Sequence, residues 1–261
     1  MSIEADIVTA GKVYLIGAGP GDVELLTLKA VRALGEADAV LIDDLVNRDV
    51  LQFLKAQARV IEVGKRGGCR STPQAFIERK MLQLARAGLT VARVKGGDPY
   101  VFGRGGEEVE ALCRAGIAVD VVNGISAGIG VPAALGIPVT HRDFCRGVTF
   151  VTGHSGAGAQ PNWHALACSG TTLVIYMGLT NLAGIVSGLL AAGMAASMPV
   201  AVVQNGTLPT QRSVVSRLDQ VAADVAREGL ASPALVVVGE VVRFATMQTS
   251  SGIEEPARKQ A

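Results

Sequence analysis

Aromatic residues make up only 4% of the 261 positions, while 49% are hydrophobic. The apolar content is therefore mostly aliphatic, as in a well-buried α/β protein of one large domain or two ordinary ones. Cysteine is also sparse. Cys69, Cys113, Cys145 and Cys168 stand far apart, with no CxxC and no Cys/His cluster at metal-ligand spacing. This excludes a disulfide framework and a zinc site, no metal is expected, and the thiols read as buried and free. The formal net charge is only +1 and no Lys/Arg-rich block occurs. That argues against a nucleic-acid surface as the main business of the chain. The first residues, MSIEADIVTAGK, carry acids early and lack a charged start followed by an apolar core. No secretion signal is expected, and the chain reads as cytoplasmic.

Charge is missing altogether from Gly147 to Gln211, where no Asp, Glu, Lys or Arg occurs. A membrane span would explain this, but Thr180, Asn181 and Ser187 interrupt the stretch and no basic residues flank it. Leu182, Ile185, Val186, Leu189 and Leu190 follow helical spacing between two strand-like runs, so the segment reads as a buried βαβ unit and no membrane segment is expected.

Glycine, by contrast, is abundant, with 32 residues. Many follow β-branched runs that alternate with amphipathic stretches, which predicts parallel strands joined by crossover helices. Ser71-Thr72-Pro73-Gln74 reads as a helix start with a hydroxyl cap and a Gln able to close a capping box, and Gly88 and Gly116 read as helix stops. The charged break THRDFCRG divides the alternation into an α/β domain over 1–143 and a second over 144–245. The polar remainder, 246–261, lacks periodicity and reads as a mobile tail.

The glycine-rich strand ends carry the chemistry. GAGPGD, Gly17 to Asp22, departs from a Rossmann fingerprint because its third glycine comes one place early and Pro20 occupies the turn. It still lets a ligand approach the main chain. AVLIDDLV puts Asp43 and Asp44 at a strand end, where one can accept a proton or both can be surface carboxylates. Lys65 and Arg66 in VGKRGG suit an anionic substrate or a solvated loop. In GGDPYVFGRGGEE, Gly96 and Gly97 expose backbone, Asp98-Pro99 turns the chain, and Val101 and Phe102 offer an apolar wall. Arg104 sits where it can reach a carboxylate or take part in proton transfer. Glu107 and Glu108 fall in a first helical turn, most simply solvated. NGISA and QNGTLPTQR are further strand-end segments, and Met177 at the end of LVIYM reads more simply as core.

In this order the motifs VYLIGAGPGD, ADAVLIDDLV, VGKRGG, GGDPYVFGRGGEE, GISA, VTGH, IYMG, QNGTLPTQR and SPALVVVG, over roughly residues 13–243, resemble the tetrapyrrole methylases. VGKRGG, FGRGGEE and GTLPTQR are most similar to the branch that methylates uroporphyrinogen III. The resemblance implies a homodimer of two-domain α/β subunits that is not a Rossmann methyltransferase, with the active-site cleft between the domains. It implies S-adenosyl-L-methionine as methyl donor and S-adenosyl-L-homocysteine as by-product. It also implies uroporphyrinogen III as substrate, methylated at two pyrrole carbons to precorrin-2. Two domains leave no room in the 261 residues for an added dehydrogenase/chelatase module, so a stand-alone methylase is expected. Carried over by motif, donor contacts fall on Pro20, Gly96, Gly97, Asp98, Val101, Ser126, Ala127, Met177 and Gly206. Asp43 matches the proton acceptor, Lys65 the donor, and Arg104 a further proton-handling position. Arg66, Glu107 and Arg212 are placed with the substrate. The family often has an aromatic residue where Ile42 stands, which implies a looser substrate wall here, and Thr where Ser126 keeps the hydroxyl. Another precorrin methylase, an RNA methylase, or a non-catalytic donor-binding protein are the alternatives.

Overall fold

The computed structural model describes residues 11–64, 72–154 and 161–245. The chain divides into two compact units, Met1–Gly130 and Val131–Ala261. The charged break near residue 143 lies inside the second unit, and a division at either place leaves every strand intact.

In the first unit, β1 (Lys12–Gly17), β2 (Ala39–Ile42), β3 (Arg59–Glu62), β4 (Val91–Lys95) and β5 (Ala118–Val122) form one sheet in the order β3-β2-β4-β1-β5. Every pairing is parallel, as the alternation predicts. All C-terminal strand ends therefore lie along one edge of the sheet. Period-two alternation sends Tyr14, Ile16, Val40, Ile42, Ala92 and Val94 to the face covered by α1 (Leu28–Glu36). Val13, Ala39, Leu41 and Val91 go to the opposite face, under α2 (Gln74–Arg86) and α3 (Gly105–Arg114). Both faces are covered at β1 and β2, so these two strands read as near-continuous apolar runs. α4 (Ala127–Ala134) follows β5.

Gly88 and Gly116 end α2 and α3 at φ +82° and +71°, as expected. The start of α2 differs from expectation. Pro73 takes the cap position with no side-chain bond, and Thr72 Oγ1 donates instead to the Gly64 carbonyl at 3.3 Å. The Gln74 side chain reaches away from its own helix to Glu108 at 3.1 Å. Cys113 and Cys168 are exposed and Cys145 is half-buried, which corrects the expectation of buried thiols; Cys69 lies outside the described residues. Cys113 falls on the outer side of α3, away from the Leu112 contact with the core.

Asp38, just before β2, accepts from the Thr90 amide at 2.8 Å and from Lys55 at 2.5 Å. The Lys55 bond, followed by the Thr90 amide, holds its carboxyl below the usual carboxylate value. A depressed folded-state pKa stabilises above the unfolded value, about 4, and that contribution fades as pH falls through the folded value. Asp38→Asn is therefore expected to lose less thermal stability than wild type on acidification below about pH 4. An identical acid limb in the two melting curves would rule this out.

The second unit holds β6 (Val148–Thr152), α5 (Trp163–Ala167), β7 (Thr172–Tyr176), α6 (Leu182–Ala191), β8 (Pro199–Gln204), β9 (Arg212–Arg217), α7 (Val221–Glu228) and β10 (Ala234–Val238). Its sheet has the order β6-β7-β10-β8-β9 and is mixed, which corrects the expectation of parallel strands throughout. β6 and β7 are parallel, β10 runs antiparallel to both β7 and β8, and β8 and β9 are antiparallel. The β7-α6-β8 crossover is present with β10 inserted between its two strands. Leu182, Ile185, Val186 and Leu189 of α6 are buried against this sheet, so the charge-free stretch is core. Among the described residues no helix is long and apolar enough to cross a membrane.

Candidate active site

Three glycine-bearing strand ends meet at the C-terminal edge of the first sheet. The Ala18 amide donates to the Lys95 carbonyl at 2.8 Å, and Gly19 and Gly97 exchange backbone bonds at 3.2 and 2.7 Å. A Cβ at Gly17 would lie 2.5 Å from the Gly124 nitrogen, and one at Gly124 would lie 2.2 Å from the Gly97 oxygen. Only glycine permits this backbone-on-backbone packing. Gly96 and Gly97 are different: an added Cβ would meet nothing nearer than 3.6 Å at either. At Gly97 the constraint is its φ of +67°. These two leave the main chain approachable, while Gly17 and Gly124 are packed shut.

Asp98 closes the corner. Its Oδ1 accepts from the Tyr100 amide at 2.9 Å, and its Oδ2 accepts from the Gly124 amide at 3.2 Å and Asn123 Nδ2 at 3.4 Å. The carboxylate expected to meet a donor thus also ties the turn after β4 to the end of β5. Pro20, Val101 and Ala127 are half-buried and Ser126 is buried. The Ser126 carbonyl receives the Ile129 and Gly130 amides, both at 2.9 Å, in the first turn of α4.

A buried ionic cluster stands beside this corner. Register places Leu41 opposite Arg93 and Ile42 opposite Val94, which puts Asp43, Arg93 and Lys95 on the face under α2 and α3. Arg93 Nη2 lies 2.7 Å from Asp43 Oδ1, and Lys95 Nζ lies 3.7 Å from Asp43 Oδ2. Glu108 Oε1 lies 3.1 Å from Arg93 Nε and 3.2 Å from Lys95 Nζ. The side chains of Arg93 and Glu108 are 1% and 0% exposed, whereas that of Asp43 keeps 27%. Burial, then the neighbouring Arg93, pushes the Lys95 ammonium below the usual lysine value against the pull of Glu108 and Asp43. Asp43 alone of the four carries charge toward the surface.

The structure corrects the reading of Glu108 as a solvated first-turn acid, because it lies on the same stripe of α3 as Gly105 and Leu112, against the sheet. Glu107 points out and pairs with Arg104 at 3.0 and 2.5 Å. The bond to Glu107 raises the Arg104 pKa above its usual value, and the same bond holds the Glu107 carboxyl below its own. Arg104 has φ +58° and is the residue from which α3 starts. Arg93, Lys95, Gln74 and Glu108 were not singled out by sequence as site residues. The available signal was two cations two residues apart in a strand otherwise apolar.

Ile42 is fully buried in the core under α1, so it forms no exposed wall. In the second unit Met177 follows β7 at φ +52° and is 50% exposed, which corrects its reading as core. Gly206 packs against Val131, whose Cγ2 would lie 2.4 Å from an added Cβ. Asn205 and Thr207 flank it at φ +51° and +66°. All five non-glycine residues with positive φ among the described residues fall in the recognised motifs, where backbone strain concentrates at functional sites. Arg212 donates to the Glu228 carbonyl at 2.6 Å, at the end of α7. Lys65, Arg66 and the tail over 246–261 lie outside the described residues.

The family model for tetrapyrrole (corrin/porphyrin) methylases matches residues 12–222. The chain is 55% identical to a uroporphyrinogen-III C-methyltransferase of Pseudomonas aeruginosa, over 93% of this chain and 98% of that protein. It is 49% identical to a siroheme synthase of Klebsiella pneumoniae over 89% of this chain, which spans half of that longer protein. A uroporphyrin-III C-methyl transferase of Thermus thermophilus, solved with S-adenosylhomocysteine, superposes with a TM-score of 0.76 at 43% identity, covering 89% of this chain and 99% of that one. With its two α/β sheets and these relatives, the chain belongs to the tetrapyrrole methylase family.

Proposed function

We propose that this chain is an S-adenosylmethionine-dependent methyltransferase. It transfers methyl groups to two pyrrole carbons, C2 and C7, of uroporphyrinogen III, giving precorrin-2 and S-adenosylhomocysteine. The observation that carries this reading is the 55% identity to a uroporphyrinogen-III C-methyltransferase across nearly its whole length.

The residues present fit the donor. Gly96 and Gly97 keep their main chain open beside the packed corner, with the buried Ser126 and the start of α4 next to them. Pro20, Asp98, Val101 and Ala127, with Met177 and Gly206 of the second unit, complete the proposed contacts. When bound, S-adenosylmethionine supplies an electrophilic methyl group on a sulfonium centre. The macrocycle bears acetate and propionate arms, and Arg66, Arg104 and Arg212, with Glu107 orienting Arg104, are the proposed partners of those arms, Arg104 serving also as the further proton-handling group. As each pyrrole carbon gains a methyl group, the macrocycle must lose a proton. Asp43, the exposed carboxylate of the cluster, accepts it, and Lys65 is the second proposed proton-handling group, with one proton leaving the macrocycle for each methyl group gained. The enzyme works as a homodimer in the cytoplasm.

An anaerobic incubation with uroporphyrinogen III and S-adenosylmethionine, followed by product mass, tests the reading. A gain of two methyl groups is expected; unchanged substrate with bound donor would overturn it.

Arg104→Ala is expected to lower turnover about 100-fold or more while leaving donor binding intact. Its exposed pair with Glu107 contributes little to stability, so unfolding should shift by no more than about 1 kcal/mol. Lost donor binding in a folded variant would place Arg104 with the donor instead.

A further inference from the structure

The relatives' names assign an activity but no task to the buried acid of FGRGGEE. We propose that Glu108 is a positioning residue that, through Arg93 and Lys95, holds the Asp43 carboxylate in place for proton transfer; this rests on the reading of Asp43 as proton acceptor.

The geometry forms a bracket. Glu108 Oε1 receives Gln74 Nε2 at 3.1 Å, Arg93 Nε at 3.1 Å and Lys95 Nζ at 3.2 Å, from α2 and β4. The far side of the Arg93 guanidinium meets Asp43 at 2.7 Å, and its remaining nitrogen donates to the Val94 carbonyl at 3.2 Å. Each guanidinium nitrogen therefore has an assigned acceptor, and the plane is fixed. Glu108 on α3 and Asp43 after β2 are joined through two cations on one strand, and Gln74 on α2 holds Glu108 directly.

Stability alone does not account for such a cluster. Buried ion pairs often contribute no more than well-packed apolar residues of similar volume, because each charge leaves water at a cost. Glu108 Oε2 is buried with no hydrogen-bond partner among the described residues, so the carboxylate is not arranged for its own satisfaction. What the arrangement secures is direction. With Glu108 removed, Asp43 would be the one carboxylate left to the two buried cations among the described residues, and they would draw it inward, away from the edge of the sheet. With Glu108 present, one carboxylate balances them from below and Asp43 keeps its outward exposure.

The test uses the full chain in the anaerobic assay, with Glu108→Gln, Asp43→Asn and the double variant. Glu108→Gln keeps the volume and one acceptor oxygen but removes the charge. Turnover is expected to fall about 10- to 100-fold, the scale of a small misplacement of a reacting group. The KM for each substrate and the Kd for S-adenosylhomocysteine should stay within about twofold. Added to Asp43→Asn, the change should cost less than about threefold, because residues acting through one another are not additive. A full second loss on that background overturns the proposal, as does an effect confined to KM. Asp43→Asn with undiminished turnover refutes the proton-acceptor reading itself, a different outcome. If Asp43→Asn has no measurable rate, a crystal structure of Glu108→Gln decides: Asp43 displaced from its wild-type position supports the bracket, and Asp43 unmoved despite lost turnover overturns it. Should Glu108→Gln not fold, Gln74→Ala removes one donor to the same oxygen. A severalfold fall in turnover at unchanged KM is then expected, and an unchanged rate counts against the bracket.

Discussion

Asp43→Asn is expected to lower turnover on uroporphyrinogen III by about 10²- to 10⁴-fold, the range a positioned general base contributes. Asparagine keeps the shape and still offers Arg93 an oxygen, so the corner should remain assembled. It cannot take up a proton as a carboxylate does. The electrostatic cost is the second quantity to weigh. Removing one partner of a fully buried pair costs about 3–5 kcal/mol. Asp43 retains 27% exposure and Glu108 still balances the two cations, so the penalty should fall well short of that range. Three measurements separate the effects: turnover, S-adenosylhomocysteine affinity and thermal unfolding. Turnover reduced less than about tenfold, with donor binding intact, would remove Asp43 from the proton-transfer role.

The first sheet was legible because its runs are short, β-branched and bounded by glycine, and because all five strands obey the parallel crossover rule that such alternation implies. The second sheet was not, although its strands are β-branched runs like those of the first. Local pattern marks a strand but not its direction, and β10 enters between β7 and β8 from far along the chain. Only long-range pairing decides that. At the site, the glycine turns announced themselves because positive φ and close backbone approach restrict residue choice strongly. The ionic bracket stayed hidden because Arg93 and Lys95 sit in a run that reads as apolar, and Glu107 and Glu108 look alike side by side. Helical phase distinguishes them. Gly105, Glu108 and Leu112 share one stripe while Glu107 falls outside it, and that stripe could have been drawn from spacing alone. The reading of Met177 as core failed for another reason: it ends an apolar strand, yet a φ of +52° turns it out of the sheet.

The glycine corner makes a second large effect testable, and one methyl group is enough. Gly124→Ala places a Cβ 2.2 Å from the Gly97 oxygen and 2.7 Å from the Gly17 carbonyl carbon. Both are backbone atoms, one at the end of β1 and one in the turn after β4, so neither can swing aside as a side chain would. The strand ends must separate, at a cost of about 1–3 kcal/mol or more for overpacking. Separation also disturbs the Asp98 carboxylate, which holds the Gly124 amide at 3.2 Å, and with it the Gly96-Gly97 main chain. S-adenosylhomocysteine affinity should therefore fall together with stability, unlike in Asp43→Asn. Gly106→Ala is the matched comparison. It adds the same methyl group in the first turn of α3, where nothing lies within 4 Å of the added Cβ. There the gain in helix propensity dominates, and stability should rise by up to about 1 kcal/mol with donor affinity unchanged. The same chemical change thus has opposite signs at two glycines of one unit. Equal effects at both positions would mean that the close approach of β1, β4 and β5 does not determine the donor site.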